Sequence, residues 1–137
     1  MKNKAKQTSE LTKKQSLVMN LLSKAKGPLS AYNILYDLRD YGFRGPTQVY
    51  RVLEKLLEIG MVHRIESMNA FVACQQEKCD EKNKEINLFT ICEICGSVQE
   101  LLNSGLKNIV KSLSRDNNFL LKNSVLELNG VCSKCKD

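Results

Sequence analysis

Cysteine is absent before position 74, histidine occurs once in the chain, and no stretch is apolar for long. A transmembrane helix needs about 18 or more consecutive apolar residues, and no such run exists, so no membrane span is expected. The opening decapeptide, Met1 to Glu10, is basic but lacks the apolar stretch of a secretory signal, so the protein is expected in the cytoplasm. No internal repeat or low-complexity tract is present. No nucleophile–base pair, carboxylate dyad or phosphate-cradling loop appears either, so an enzyme is not expected.

What the chain does have is 137 residues, 42% of them apolar, enough for one ordinary domain or two small ones. Its charge is uneven. Residues 1–74 carry 12 Lys/Arg against 6 Asp/Glu, whereas residues 75–137 carry 9 of each. The whole excess of +6 therefore sits in the first half, as expected if that half meets a polyanion. The six cysteines all fall between Cys74 and Cys135. In a reducing compartment such thiols point to metal ligation or redox chemistry rather than structural disulfides.

Hydrophobic spacing divides the chain. Leu17, Val18, Leu21 and Leu22 recur at helical intervals behind a Thr12 cap, and Gly27-Pro28 ends that segment. Ser30 caps a second helix to about Tyr41, bearing Ala31, Ile34, Leu35 and Leu38 on one face. Thr47 caps a third, Gln48 to Ile59, with Val49, Val52, Leu53, Leu56 and Leu57 inward and Gly60 as its left-handed stop. The period then turns near-alternating. Met61 to Glu66 and Ala70 to Cys74 are expected as strands around a Ser67-Met68-Asn69 turn. Three helices and a hairpin make a winged helix-turn-helix, whose third helix enters the DNA major groove. Residues 1–74 form this domain and the polar stretch 75–87 a linker. Residues 88–137 form a small α+β domain, with strands at Leu88 to Ile91, Ser97 to Leu102 and Phe119 to Leu128 and a helix from about Gly105 to Ser114.

That second domain carries two CxxC knuckles, Cys92-Glu93-Ile94-Cys95 and Cys132-Ser133-Lys134-Cys135. Two residues between thiolates let a tight turn aim both sulfurs at one tetrahedral ion, and two such turns complete a four-cysteine shell. Gly96 supplies the positive φ that such knuckles commonly need. A thioredoxin-like reading would require a single pair on a βαβ pattern at a helix N-terminus, and the sequence has neither. Structural zinc is the expectation.

With these features together, the chain resembles the ferric uptake regulator family, and within it the zinc uptake branch. The resemblance lies in Leu29-Ser-Ala-Tyr-Asn-Ile-Leu35, Gln48-Val-Tyr-Arg-Val-Leu53, Gly60-Met-Val-His-Arg-Ile-Glu-Ser67, Phe71-Val-Ala-Cys74 and Phe89-Thr-Ile-Cys-Glu-Ile-Cys-Gly-Ser-Val-Gln-Glu100. It implies a homodimeric repressor that binds a palindromic double-stranded operator when zinc-loaded and releases it when starved. Arg51, on the polar side of the third helix, can pair bidentately with guanine and is the expected base reader. The family places operator contacts at the positions matching Arg51 and Tyr32. Tyr50 and Gln48 are expected to hold phosphates, a role without sequence information, and Lys13, Lys14 and Arg64 to neutralise charge.

The resemblance also implies a second, regulatory zinc, and so two ions per chain, held by residues matching His63, Cys74, Glu100 and a linker histidine. Filling it would fix the relative orientation of the two domains. No linker histidine exists here: by spacing the position falls on Glu85. Cys79 is the expected substitute, with Glu85 next and Glu81 or Asp80 behind it, because a sulfur-rich shell suits zinc over iron or manganese. A single histidine cannot build the histidine-rich sites of iron and peroxide sensors. The alternatives are an iron- or manganese-sensing member of the family, a zinc-ribbon thiol oxidoreductase, or a zinc-stapled RNA module.

Overall fold

The computed structural model describes residues 11–75 and 86–136. The chain forms two compact units, Met1–Cys79 and Asp80–Asp137. No helix among the described residues is long and apolar enough to cross a membrane.

In the first unit α1 spans Lys13–Lys24. Thr12 caps it in a reciprocal box. The Gln15 N–H donates to the Thr12 hydroxyl at 3.2 Å, and the Thr12 N–H donates to Gln15 Oε1 at 3.0 Å. Helix α2, Ala31–Leu38, is capped by Ser30 as expected, but it stops three residues early. Arg39–Tyr41 tighten into a 3-10 turn before Gly42 reverses the chain at φ 98°.

Helix α3, Pro46–Glu58, starts ahead of the expected Thr47 cap. Gly45 occupies the cap and Pro46 the first helical position, where a missing N–H costs nothing. Gln48 instead reaches back, its Oε1 accepting from the Arg44 N–H at 2.7 Å. The helix ends in a Schellman motif. Gly60, at φ 81°, donates to Leu57 O, and Met61 donates to Leu56 O. Met61 and Leu56 are both buried, giving the apolar contact that accompanies this motif.

The wing follows as β1 (Val62–Ile65) and β2 (Ala70–Ala73), antiparallel, with His63 opposite Val72. The turn is longer than the expected Ser67-Met68-Asn69: a 3-10 segment, Glu66–Met68, closed by Asn69 in the left-handed region at φ 46°. Leu29, just ahead of α2, adds a bridge to Phe71 through two backbone hydrogen bonds, at 3.0 and 2.8 Å. This tie locks the wing to the helices. Val18, Ile34, Val49, Leu53, Leu56 and Val62 are essentially inaccessible and form the shared core. Each such side chain contributes roughly 1.5–3 kcal/mol on burial.

The second unit is a three-stranded sheet in the order β4-β3-β5. Strand β3 (Asn87–Cys92) pairs antiparallel with β4 (Val98–Leu101) and parallel with β5 (Val125–Gly130). Parallel neighbours require a crossover, supplied by α4 (Ser104–Asp116), which Asn103 caps by accepting from the Leu106 N–H at 2.9 Å. The expected strand from Phe119 begins only at Val125. Asn118, at φ 51°, ends the helix, and Phe119 and Leu120 stand in solvent instead of pairing. Leu88, Phe89, Ile91 and Cys92, all on β3, are the buried hydrophobics among this unit's described residues. So slim a core needs a staple.

Candidate metal centre and nucleic-acid face

Cys92 ends β3, and Cys132 follows two residues after Gly130 at the end of β5. Because β3 and β5 run parallel with Cys92 opposite Gly130, both knuckles emerge from the same end of the sheet. The Cys92 N–H donates to Ser97 O and the Gly96 N–H to Cys92 O, each at 2.9 Å, folding the first knuckle around Gly96 at φ 74°. In the second, the Cys135 N–H donates to Cys132 O at 3.0 Å. The Glu93 N–H reaches across to Gly130 O at 2.8 Å, fastening one knuckle to the strand that carries the other.

The four sulfurs lie within 4.8 Å of one another. Cys95 Sγ and Cys132 Sγ are 3.8 Å apart. Four thiolates at about 2.3 Å from a zinc ion have a tetrahedral edge of about 3.8 Å, so the spacing fits the ion. It is nearly twice the roughly 2.05 Å of a disulfide, and all four cysteines are free. The electrostatics agree. Backbone N–H groups of Cys95 and Cys132, at 3.5 and 3.4 Å, point at Cys92 Sγ and hold that thiol down at about 6 from an ordinary 9.0. Ser97 Oγ, 3.2 Å from Cys95 Sγ, lowers that thiol as well. Cys135 is pushed up to about 12, first by Cys132 and then by its own desolvation. Sulfurs crowded this way cannot all ionise unless a cation joins them. Ser97 and the Cys132 N–H escaped the sequence reading; a hydroxyl two residues past a CxxC was the available signal.

On the wing, the alternation of the hairpin sets His63 and Cys74 on one face. His63 pairs with Val72, and Cys74, whose N–H donates to Met61 O at 2.9 Å, stands diagonally beyond it. The two are diagonal neighbours, not opposite each other. Both are half-buried. His63 Nε2 is a buried nitrogen to which no hydrogen bond is made, though the residue has an interaction of its own. Cys74 is disulfide-bonded. Glu100 lies on β4, paired with Phe89. Cys79, Asp80, Glu81 and Glu85 fall outside the described residues.

On α3, Thr47, Arg51, Glu54, Lys55 and Glu58 form the exposed stripe, opposite the buried Val49, Val52, Leu53 and Leu56. Arg51 projects into solvent, while Gln48 and Tyr50 flank it half-buried, Tyr50 packing against the core. Lys55 pairs with Glu58 at 3.6 Å. Tyr32, at the start of α2, is 66% exposed. Lys14 lies over the Phe43 ring at 5.4 Å. Arg64 is partly engaged, donating to Asn69 Oδ1 at 2.7 Å with Glu66 at 3.7 Å, so it also braces the wing's turn.

The chain is similar to known proteins along most of its length. Over 132 residues the chain is 36% identical to the zinc uptake regulation protein of Escherichia coli (strain K12), covering 96% of this chain and 75% of that protein. It is 26% identical over 123 residues to the ferric uptake regulation protein of Bacillus subtilis (strain 168), covering 89% and 81%. A solved zinc uptake regulator complexed with zinc and DNA superposes with a TM-score of 0.83 at 35% identity, over 92% of this chain and 83% of that one. The profile of the ferric uptake regulator family matches residues 6–129. The chain, with its winged helix and its four-sulfur pocket, belongs to the ferric uptake regulator family.

Proposed function

We propose that the protein is a zinc-responsive transcriptional repressor that binds palindromic operators of zinc-uptake genes when zinc-loaded. The observation that carries this reading is the likeness, along most of both chains, to a regulator held in complex with zinc and DNA. The charge supports it: the +6 excess belongs to residues 1–74, the half that presents Arg51 and Tyr32. Arg51 reads a base edge, and Tyr32, Tyr50 and Gln48 position the helix on the duplex. The protein is a cytoplasmic regulator, not an enzyme, built as residues 1–74, a hinge at 75–87 and residues 88–137.

Two zinc ions per chain are assigned. Cys92, Cys95, Cys132 and Cys135 hold the structural one, whose binding energy becomes folding energy for the second unit. His63, Cys74, Glu100 and Cys79, with Glu85 as the alternative fourth, hold the regulatory one. In the reduced chain the wing would supply a nitrogen and a sulfur from the common face of its hairpin. A shell drawn from both units couples metal occupancy to the orientation of the recognition helices. The second unit leaves Ile109 and Leu113 of α4 and Leu126 and Leu128 of β5 exposed, an apolar surface suited to a second copy of the chain.

The test is operator binding by reduced protein in zinc, in chelator, and in iron or manganese, with metal counted per chain. Zinc alone should restore binding, and Cys74→Ser should leave a dimer with one zinc fewer and no zinc response. If Cys79→Ser keeps the wild-type zinc count, Glu85 takes its place. Equal operator binding in zinc and chelator overturns the reading.

A further inference from the structure

We propose that Arg44 is a further DNA contact, gripping a backbone phosphate beside the head of α3, and that Gln48 is the positioning residue that holds it there. The inference rests on the DNA-binding reading above and deepens it, because it names the residue through which Gln48 acts. Its starting point is one hydrogen bond: Gln48 Oε1 accepts from the Arg44 N–H at 2.7 Å. A backbone N–H can only donate, so this bond commits the oxygen end of the Gln48 amide to the loop. It also pins the backbone of Arg44, which stands two residues ahead of Pro46, the first residue of α3. The neighbours pin it further. Phe43 is buried as an anchor, and the turn at Gly42, with φ 98°, delivers the chain to it. On the other side the Gly45 cap is open, since a Cβ built there would meet nothing within 4 Å.

The charge on this fixed backbone is uncommitted. Arg44 is exposed, and among the described residues its guanidinium makes no ion pair, hydrogen bond or ring contact. Other cations of the same unit are partnered: Lys55 pairs with Glu58 at 3.6 Å and Arg64 with Glu66 at 3.7 Å. A second positive charge stands by the same loop. The Lys14 ammonium lies 5.4 Å from the Phe43 ring centroid, and its Cε would be 4.0 Å from a Cβ at Gly42. The loop thus joins two cations 30 positions apart in the chain, neither of them paired with a carboxylate. A recognition helix presents its N-terminal residues to the bases, so the residues just ahead of it meet the phosphates at the groove's edge. The forked guanidinium matches two phosphate oxygens at once. Such a contact adds grip without sequence preference, leaving the choice of base to Arg51.

The experiment uses the full chain, reduced and zinc-loaded, with an operator duplex selected from random sequences on that protein and a scrambled duplex of equal length. Affinity for both is measured across a salt series. Arg44→Ala should lower the slope of log affinity against log salt by about 0.9 for each contacting chain. At about 0.1 M salt that is about an 8-fold loss per contacting chain, equal on the two duplexes. Arg44→Lys, which keeps the charge, should recover the slope. Gln48→Met keeps the side chain's length but loses the acceptor, and it should lower the slope as well. In the Arg44→Ala background the same change should cost little more, because Gln48 acts through Arg44. Lys122→Ala, a charge removed from the second unit, is the control and should leave the slope alone. The proposal fails if Arg44→Ala keeps the wild-type slope, if its loss is confined to the operator, or if Lys122→Ala lowers the slope equally. Additive losses from Arg44→Ala and Gln48→Met overturn the positioning role. If the zinc-loaded chain selects no duplex at all, the DNA-binding reading has failed, and this proposal falls with it.

Discussion

Cys95 Sγ and Cys132 Sγ, 37 positions apart in the chain, lie 3.8 Å from each other at one end of a small sheet. Replacing either removes a quarter of the shell while leaving three sulfurs crowded. Cys132→Ser should abolish the tightly held zinc and unfold residues 86–136 while sparing the winged helix. Loss of the sheet's circular dichroism and of self-association, with α1 to α3 protected from proteolysis, is the expected pattern. A variant that keeps its zinc and its thermal midpoint would remove the staple from the account.

The first knuckle turns at Gly96, where φ is 74° and a side chain would meet nothing within 4 Å. Space is therefore not the constraint; backbone conformation is. Gly96→Ala should weaken the site by about 1–2 kcal/mol, and Gly96→Asn by less, because asparagine tolerates the left-handed region. Zinc retention against a graded chelator series measures the difference. Equal retention by all three forms would contradict it.

Arg51 projects from the exposed stripe of α3 without a role in the core. Arg51→Ala should cost about 1–3 kcal/mol on operator DNA and clearly less on random DNA at the same salt. Tyr50→Phe, which keeps the half-buried ring, should leave the preference for operator intact. Uniform weakening on both DNAs would assign Arg51 to phosphate instead.

Stability of the first unit can be checked without DNA. Ile34 is fully buried, so Ile34→Ala should destabilise by about 2–5 kcal/mol. Thr12→Ala, which opens an exposed capping box, should cost only about 1 kcal/mol. Denaturant midpoints at constant slope measure both, and the reverse order would show that the core is misassigned.

Much of this was legible in the sequence because local rules and packing agree. Thr12 and Ser30 cap where their hydroxyls say they should, and Gly60 stops α3 where only a left-handed residue fits. The two CxxC pairs announce their chemistry through spacing alone. Legibility failed where neighbours overrode a local cue. Gly45 took the cap expected of Thr47, with Pro46 as the first helical residue, and Asn118 turned the chain away so that Phe119 and Leu120, apolar enough for a strand, never paired. The bridge between Leu29 and Phe71 joins residues far apart in the chain, and no periodicity reports such a tie. His63 and Cys74 could be named as a pair, but only the register of β1 on β2 reveals that they are diagonal.

Strand β5 is largely exposed on both faces, so burial distinguishes poorly between one alignment on β3 and the next. A slip by a single residue would carry Cys132 and Cys135 about 3.3 Å along the sheet and turn them away from Cys92 and Cys95. The shell would then not close. A metal ion held by these four sulfurs would thus act as a proofreader of strand alignment: among the pairings this sparse sheet could adopt, it would reward one and leave every shifted copy empty-handed.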